Sequence, residues 1–446
     1  MSYLREQYEK AQQLGKPAFI ERPYFGSPAA PAQAETNASQ IWGTINSGYL
    51  IAYEYTRWWK ESLALRSAAV LGDWSWLNKT RVRGRDAARL IDYATVKDTS
   101  KLEPGRILYT PMTDEAGKVA VEGLTWKLAE DDYLFTQSAG LKWLELVQGK
   151  LGTKAELTDV TPDYTCYALQ GPRSTEVLEA LTGRNWRDLR FSRFRQMDDE
   201  TLVGRQGVTG EVGYEFMMRT DTGRAHELWR RIREVGSDFG LRELGFKAQL
   251  VGHTETGIAT VIRDFLPARG TPEQLKRMMR FWMSAEELAA IDWDVREQLC
   301  SPAELGWGHT ISLQKKAFMG KRALESETPR RRLMGLEWSS EDMAELYAAQ
   351  FRDGSSAPAP DLPYGQFRVL FLKVLNNGAP AGWASGYAYS PTLKRMLSLA
   401  RLERAIEPGT KVQVLWGAFS DEPVMRIGAT VRALPFIRQE RGKKLA

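Results

Sequence analysis

The segment VGRQGVTGEVGYEF, residues 203–216, constrains this chain most: four glycines, a carboxylate at Glu211 and a tyrosine–glutamate pair, Tyr214 and Glu215, crowd a span with little hydrophobic periodicity. Glycine in that density belongs to a turn that needs left-handed backbone. A turn alone does not ask for an acid at its centre with an aromatic close behind. Glu211 therefore reads either as a turn-stabilising acid or as a carboxylate held out for a ligand.

Around that turn the pattern is α+β, and 446 residues suffice for two or three domains. Residues 1–45 are rich in Pro and Ala after one short helical stretch and are expected to form an extended leader. AYEYTRWWKESLALRSAAVLG has helical spacing of its apolar positions, and TRVRGRDAARLIDYAT reads as a strand followed by a helix. GRILYTPMTDEAGKVAVEGLTWKLAEDDYLFTQSAG alternates as a β-meander, with turns at DEAG and EDD. YTCYALQGPRSTEVLEALTG is a strand, a Gly-Pro turn and a helix, and GRAHELWRRIREVGSDFGL is an amphipathic helix. A charged stretch at about 265–305 reads as a helical insertion, and residues 330–440 as a β-rich C-terminal domain.

Composition narrows the function. A net charge of +5 is thin over 61 basic and 56 acidic residues, and the basic runs RRIRE and RGKK are short. A nucleic-acid partner is not expected. Cys166 and Cys300 lie far apart, and His226, His253 and His309 have no ligand spacing, so neither a disulfide framework nor a metal site is expected. No apolar leader and no 18-residue apolar run occurs, which predicts no membrane span and a soluble, cytoplasmic protein. The aromatic load is unusual: 15 Trp and 16 Tyr, several in polar settings such as EYTRWWKE and GDWSWLNK. Bulky packing is one reading, and a pocket for a flat aromatic ligand is the other.

Taken in order, LGDWSWLNKTRVRGRDAARLIDYAT, ALQGPRS, GVTGEVGYEF, FMGKRAL, RRLMGLE and GYAYSPTLKRMLSLARL resemble the aminomethyltransferase (glycine-cleavage T-protein) family, over roughly residues 50–440. The resemblance implies a three-domain cloverleaf: a folate-binding region at 46–325 made of two intertwined α+β domains, and a barrel-like domain at 330–440. It implies tetrahydrofolate as cofactor, in a central channel. It assigns the pterin to Glu211, since two carboxylate oxygens match two parallel N–H donors. By the same resemblance Tyr109, Trp126, Ser138, Tyr214 and Glu255 are the other cofactor-binding residues.

Departures from the family pattern shape the rest. Where T-proteins keep a central aspartate, GKVAVEGL puts Glu122, expected on a meander strand and facing the channel by alternation. Where they place an arginine, GFKAQLVGHTETG has Gln249. The C-terminal run is similar to the tetrahydrofolate-dependent aryl ether demethylases of lignin breakdown, and a related branch opens the methylenedioxy bridge of sesamin-type lignans. The demethylases imply a catalytic tyrosine at the position of Gln249, a second most nearly matching Tyr55, and a substrate-carboxylate arginine near the strand ending LFTQSAG, which here has none. The expected activity is thus transfer of one carbon from a neutral aromatic ether, either a methylenedioxy bridge or an aryl O-methyl, to folate. A phenol or catechol is left behind. A phenolate leaves poorly, so a proton donor is needed. Glu122 is the first candidate, with Tyr55 and His253 as alternatives. A methoxybenzoate O-demethylase, a glycine-cleavage aminomethyltransferase and a non-catalytic folate-binding protein remain the rival readings.

Overall fold

The alternating segments between residues 79 and 159 pair into a five-stranded antiparallel sheet, ordered Glu156–Asp159, Lys79–Arg83, Asp132–Thr136, Leu124–Ala129, Arg106–Tyr109. The computed structural model describes residues 3–13, 25–45, 48–137, 139–220, 224–280, 283–359, 370–417 and 424–445. One face of this sheet carries Val82, Tyr133 and Phe135 against helices Ala87–Ala94 and Gly140–Leu151, which supply Leu90, Ile91, Leu144 and Val147. Leu134, between two of those residues, points to the other face.

A second sheet runs Phe194–Asp198, Thr201–Gly204, Gly213–Arg219, Tyr164–Gln170, Val70–Asp73, Arg242–Glu243, and its final pair is parallel. Its outer face holds Tyr167, Leu169, Tyr214 and Phe216 beneath helices Ser174–Thr182 and Ala225–Ser237. Its inner face meets the first sheet through Trp74, Trp126, Leu134, Cys166, Ala168 and Met217. Strands Arg331–Trp338, Arg395–Glu403, Ala379–Ser390, Leu372–Asn376, Lys411–Trp416 and Met425–Arg432 close into a six-stranded barrel. Closure leaves no strand edge unpaired. The chain is α+β with a β-barrel C-terminal domain, as its pattern predicts.

Helix Phe246–Thr256 joins the units. It packs on helix Trp58–Ser67, strand Tyr49–Glu54 and barrel strand Ala379–Ser390, and Lys247 alone of its residues is not buried. A helix covered all round needs no apolar stripe, which is why FKAQLVGHTET shows none.

Two expectations meet the structure differently. Among its described residues the leader is not simply extended, since two helices interrupt it. Helix Tyr3–Gln13 docks Leu4 and Tyr8 on Phe25 and Tyr49, Tyr8 donates to Asp159 at 2.6 Å, and Arg5 pairs with Asp163. Strands Phe25–Gly26, Tyr49–Glu54 and Ile41–Ile45 form a small sheet, and the Pro/Ala run is helix Ala30–Thr36, with Pro31 in the first turn, where a missing N–H is harmless. The insertion is helical but short-pieced. Helices Pro272–Met279 and Ala285–Ala289 each begin with a capping box, Thr271 with Gln274 and Ser284 with Glu287. Leu275 and Met279 then pack with Phe371 and Trp383 of the barrel side.

The two sheets approach closely at Gly204, where an added Cβ would lie 2.4 Å from the Trp126 ring and 2.6 Å from Ile107. Gly204→Ala is expected to push the sheets apart and lower stability by about 1–3 kcal/mol. Urea unfolding with an unchanged midpoint would refute that close approach.

Candidate active site

Strand Gly213–Arg219 divides its side chains between two environments. Tyr214, Phe216 and Met218 join the outer core, and Met217 faces inward. Glu215 faces inward too, because its register partners Ala168 and Gly204 lie on that face. The row Gly204–Glu215–Ala168–Gly72 thus sets one carboxyl among residues with no side chain beyond a methyl. Among the described residues nothing donates a hydrogen bond to Glu215. Burial pushes its pKa up to about 8, only partly opposed by Lys79. Lys79 itself is lowered by burial to about 8, and its ammonium is held by the carbonyls of Ser75 and Leu77. Over the same interior stand Trp126, whose buried indole N–H has no partner among the described residues, and Trp74, which donates to Gln249 Oε1 at 3.2 Å. The Gln249 amide NH₂ is left uncommitted among the described residues.

Glu122 occupies the turn between strands Val119–Val121 and Leu124–Ala129, not a strand position as alternation suggests. Gly123 makes the corner possible, since a Cβ there would sit 2.3 Å from Thr136 O. Glu122 Oε1 accepts from Gln137 Nε2 at 2.9 Å, and the Tyr109 hydroxyl lies against the same carboxyl. Burial lifts Glu122 to about 7 despite both contacts. Its remaining exposure is 9%, so the group is almost wholly removed from water. Tyr109 meets Trp307 edge-on at 5.4 Å, and Trp307 meets Phe265 at 5.6 Å. These rings form an aromatic wall beside the acid.

Glu211 is not a bare acceptor. Arg66 Nη1 donates to Glu211 Oε1 at 2.9 Å and to Thr209 O at 2.8 Å, while its Nε donates to Glu255 Oε2 at 2.9 Å. Ser390 Oγ completes Glu255 at 2.6 Å. Both Glu255 oxygens are therefore occupied, and Glu255 serves the packing of three units. Glu211 keeps Oε2 without a hydrogen bond among the described residues, so one oxygen remains for a ligand.

The other expected residues divide plainly. Tyr55 is buried in the outer core against Trp229, and Tyr214 lies in the same core with its hydroxyl bonded to Thr175 at 2.9 Å. Neither is brought to Glu122. Trp126 reaches the interior but is wholly buried between the sheets. His253 is buried, bonded through Nδ1 to Thr260 at 2.9 Å, and lowered by burial to about 3, so it is neutral at ordinary pH and cannot donate as an imidazolium. Ser138 lies outside the described residues. The residue that reading the turn misses is Glu215. The available signal was period two in GYEFMMR, which alternates one acid against an apolar set.

A surface pocket lined by Leu181, Arg184, Asp198 and Glu227 lies under the outer helices and contains none of these groups. Among the described residues no cluster of His, Cys, Asp or Glu could hold a metal, and no helix is long and apolar enough to cross a membrane.

Comparison with known proteins gives a consistent picture. Residues 36–275 match the family model described as the GCVT N-terminal domain. An aminomethyltransferase of Halothermothrix orenii is 25% identical over 375 residues, covering 82% of this chain and 90% of that protein. A sesamin methylene transferase of Sinomonas sp. (strain No.22) is 26% identical over 434 residues, covering 89% and 92%. The crystal structure of the glycine cleavage system aminomethyltransferase T from Bartonella henselae superposes with a TM-score of 0.70, at 19% identity, over 94% of this chain and 99% of that one. That last likeness concerns the fold.

Glu215 has a measurable signature. Folded at about 8 against an ordinary 4.5, it holds a proton that the unfolded chain gives up, so its contribution makes stability fall as pH rises from about 4.5 to about 8. Above that, Lys79 acts with the opposite sign. Glu215→Gln should match wild type at pH 4 and exceed it by about 3–5 kcal/mol at pH 8. Calorimetric unfolding with the same difference at both pH values would place Glu215 in water instead.

Proposed function

The chain belongs to the aminomethyltransferase family marked by the GCVT N-terminal domain, and from that premise we propose that it transfers one carbon from a neutral aromatic ether to tetrahydrofolate. Aminomethyltransferases of this family use tetrahydrofolate as the one-carbon acceptor. The groups on the inner faces suit it. A pterin presents a flat ring with several N–H donors and a carbonyl on one edge, and the Glu215 carboxyl and the Gln249 amide are groups of the matching kind. Glu211 offers one further oxygen. When bound, tetrahydrofolate supplies the amine that takes the carbon.

The observation that carries the reading is Glu122. A carboxyl poised at about 7 is protonated in a large fraction of molecules at neutral pH, and ionises as readily once its proton is given away. Gln137 fixes its orientation, Tyr109 steadies the charged form, and Trp307 and Phe265 limit water beside it. An aryl oxygen leaving as a phenol needs such a donor. Two features favour a neutral ether, either a methylenedioxy bridge or an aryl O-methyl. Strand Asp132–Thr136 carries no arginine for a substrate carboxylate, and one relative is named for the transfer of a methylene group from sesamin. A glycine-cleavage aminomethyltransferase is the second reading, because several relatives are named aminomethyltransferase. Gln249 and Glu122, standing where T-proteins put an arginine and an aspartate, weigh against it.

The test is turnover of tetrahydrofolate with a panel of aryl ethers, reading the folate product by mass spectrometry as 5-methyl or 5,10-methylene. Transfer from an aminomethyl-lipoyl donor with no reaction on any ether would reverse the order of the two readings. In the active system Glu122→Gln keeps shape and hydrogen bonding but cannot deliver a proton. It should lower kcat by about 10²–10⁴-fold with folate affinity little changed. Retention of more than a third of the wild-type rate would make Glu122 a structural acid.

A further inference from the structure

Beyond the last barrel strand the chain turns back over the glycine turn as a strap. Phe436 lies on Gly335 of strand Arg331–Trp338, where a Cβ would sit 2.3 Å from its ring. None of residues 436–444 is buried, so the strap has no core of its own and hydrogen bonds decide its course.

Those bonds complete groups that the rest of the fold leaves open. Helix Phe246–Thr256 must find partners outside itself for its last carbonyls. Its own cap serves two of them: Ile258 N–H donates to His253 O at 2.9 Å, and Gly257 N–H to Thr254 O at 3.2 Å. The strap serves the next two, with Ile437 N–H on Glu255 O at 3.0 Å and Gln439 Nε2 on Thr256 O at 2.9 Å. It then crosses to the turn, where the N–H groups of Glu440 and Arg441 both donate to Gly210 O, at 2.7 and 3.0 Å. Arg205, just ahead of the turn, holds Lys443 O.

Gly210 has left-handed backbone, with φ of 84°, and a Cβ there would lie 2.3 Å from the Thr256 methyl group. Turn and helix end are thus in direct contact. Arg66 takes the carbonyl of Thr209 and the strap takes that of Gly210, so both peptide groups leading into Glu211 are set from outside the turn. Glu440 comes close enough for its charge to bear on Glu211, and its own carboxylate is taken up by Arg438 and Lys443. A turn this rich in glycine has little stiffness of its own. The direction of the free Glu211 oxygen therefore depends on the two clamps.

We propose that the C-terminal strap, through Gln439 and the N–H groups of Glu440 and Arg441, is a positioning element for the Glu211 carboxylate and so for the ring of a bound pterin. Only the part of the pterin in this rests on the proposed folate-dependent activity.

Calorimetric binding of tetrahydrofolate, and of 6-methyltetrahydropterin, which keeps the ring and lacks the tail, tests it in the full chain. Gln439→Met keeps the length of the side chain and loses the donor, and Gln439→Lys restores one. Glu440→Pro deletes an N–H that Glu440→Ala keeps. The Met and Pro variants should bind both ligands about 5–10-fold more weakly, with the Lys and Ala variants within about twofold of wild type. In a Glu211→Ala background the same substitutions should cost nothing further, because they act through that carboxylate. Thermal unfolding of each variant fixes a temperature at which all are folded, and affinities are compared there. Equal losses with and without Glu211, a loss confined to tetrahydrofolate, or no loss in the Met and Pro variants would overturn the proposal and leave the folate reading in place. Failure of the wild-type chain to bind either ligand would overturn both.

Discussion

Arg66 is the tie on which the rest depends. It closes helix Trp58–Ser67 against the Thr209–Glu211 turn and the end of the central helix, and Ser390 brings the barrel onto the same cluster through Glu255. The cation and both carboxylates are almost wholly removed from water, with side-chain exposures of 7%, 9% and 1%. A buried pair of this kind adds little net stability over an apolar replacement, but losing its cation strands two carboxylates. What the cluster secures is register. The inner faces of both sheets and the barrel can only meet in one arrangement if these atoms are to be satisfied.

Within that arrangement two acids are pushed up for the same reason, to different extents. Glu122, at about 7, sits where a proton can come and go, while Glu215, at about 8, stays protonated among small residues with no hydrogen-bond donor of its own. Environment alone separates the two titrations, and a fold that holds carboxyls apart in this way can keep them in different protonation states at one pH. The difference arises from partners: hydrogen bonds from Gln137 and Tyr109 moderate the first, and only the charge of Lys79 moderates the second.

The class, the barrel domain and the helical insertion were legible, because each is written in short-range periodicity and capping. Glu122 was singled out by resemblance to the family's aspartate but expected on a strand, since alternation over four positions cannot see that the strand stops at Val121. The glycine turn attracted attention to Glu211, and sequence proximity hid that Arg66, far off in the chain, already claims it. Tyr55 and Tyr214 failed for another reason. A tyrosine near a motif has two faces of a sheet to choose between, and both side chains chose the core under the outer helices. The leader was misjudged because Pro and Ala are as much at home in the first turn of a helix as in an extended chain.

The Arg66 cluster also has a history in time. Its members come from segments near 66, 210, 255 and 390, and none of them is a sequence neighbour of another. Contacts of such long separation form late, after the local hairpins and helices have closed. Until the barrel arrives, the central helix has no cover on that side and Glu255 lacks its serine. A chain with both sheets built and the barrel not yet docked would leave the central helix uncovered on that side, open to neighbouring chains. Dilution or a chaperone would matter most at that moment, and a ligand that spans the inner faces would act on refolding yield before it acted on anything else.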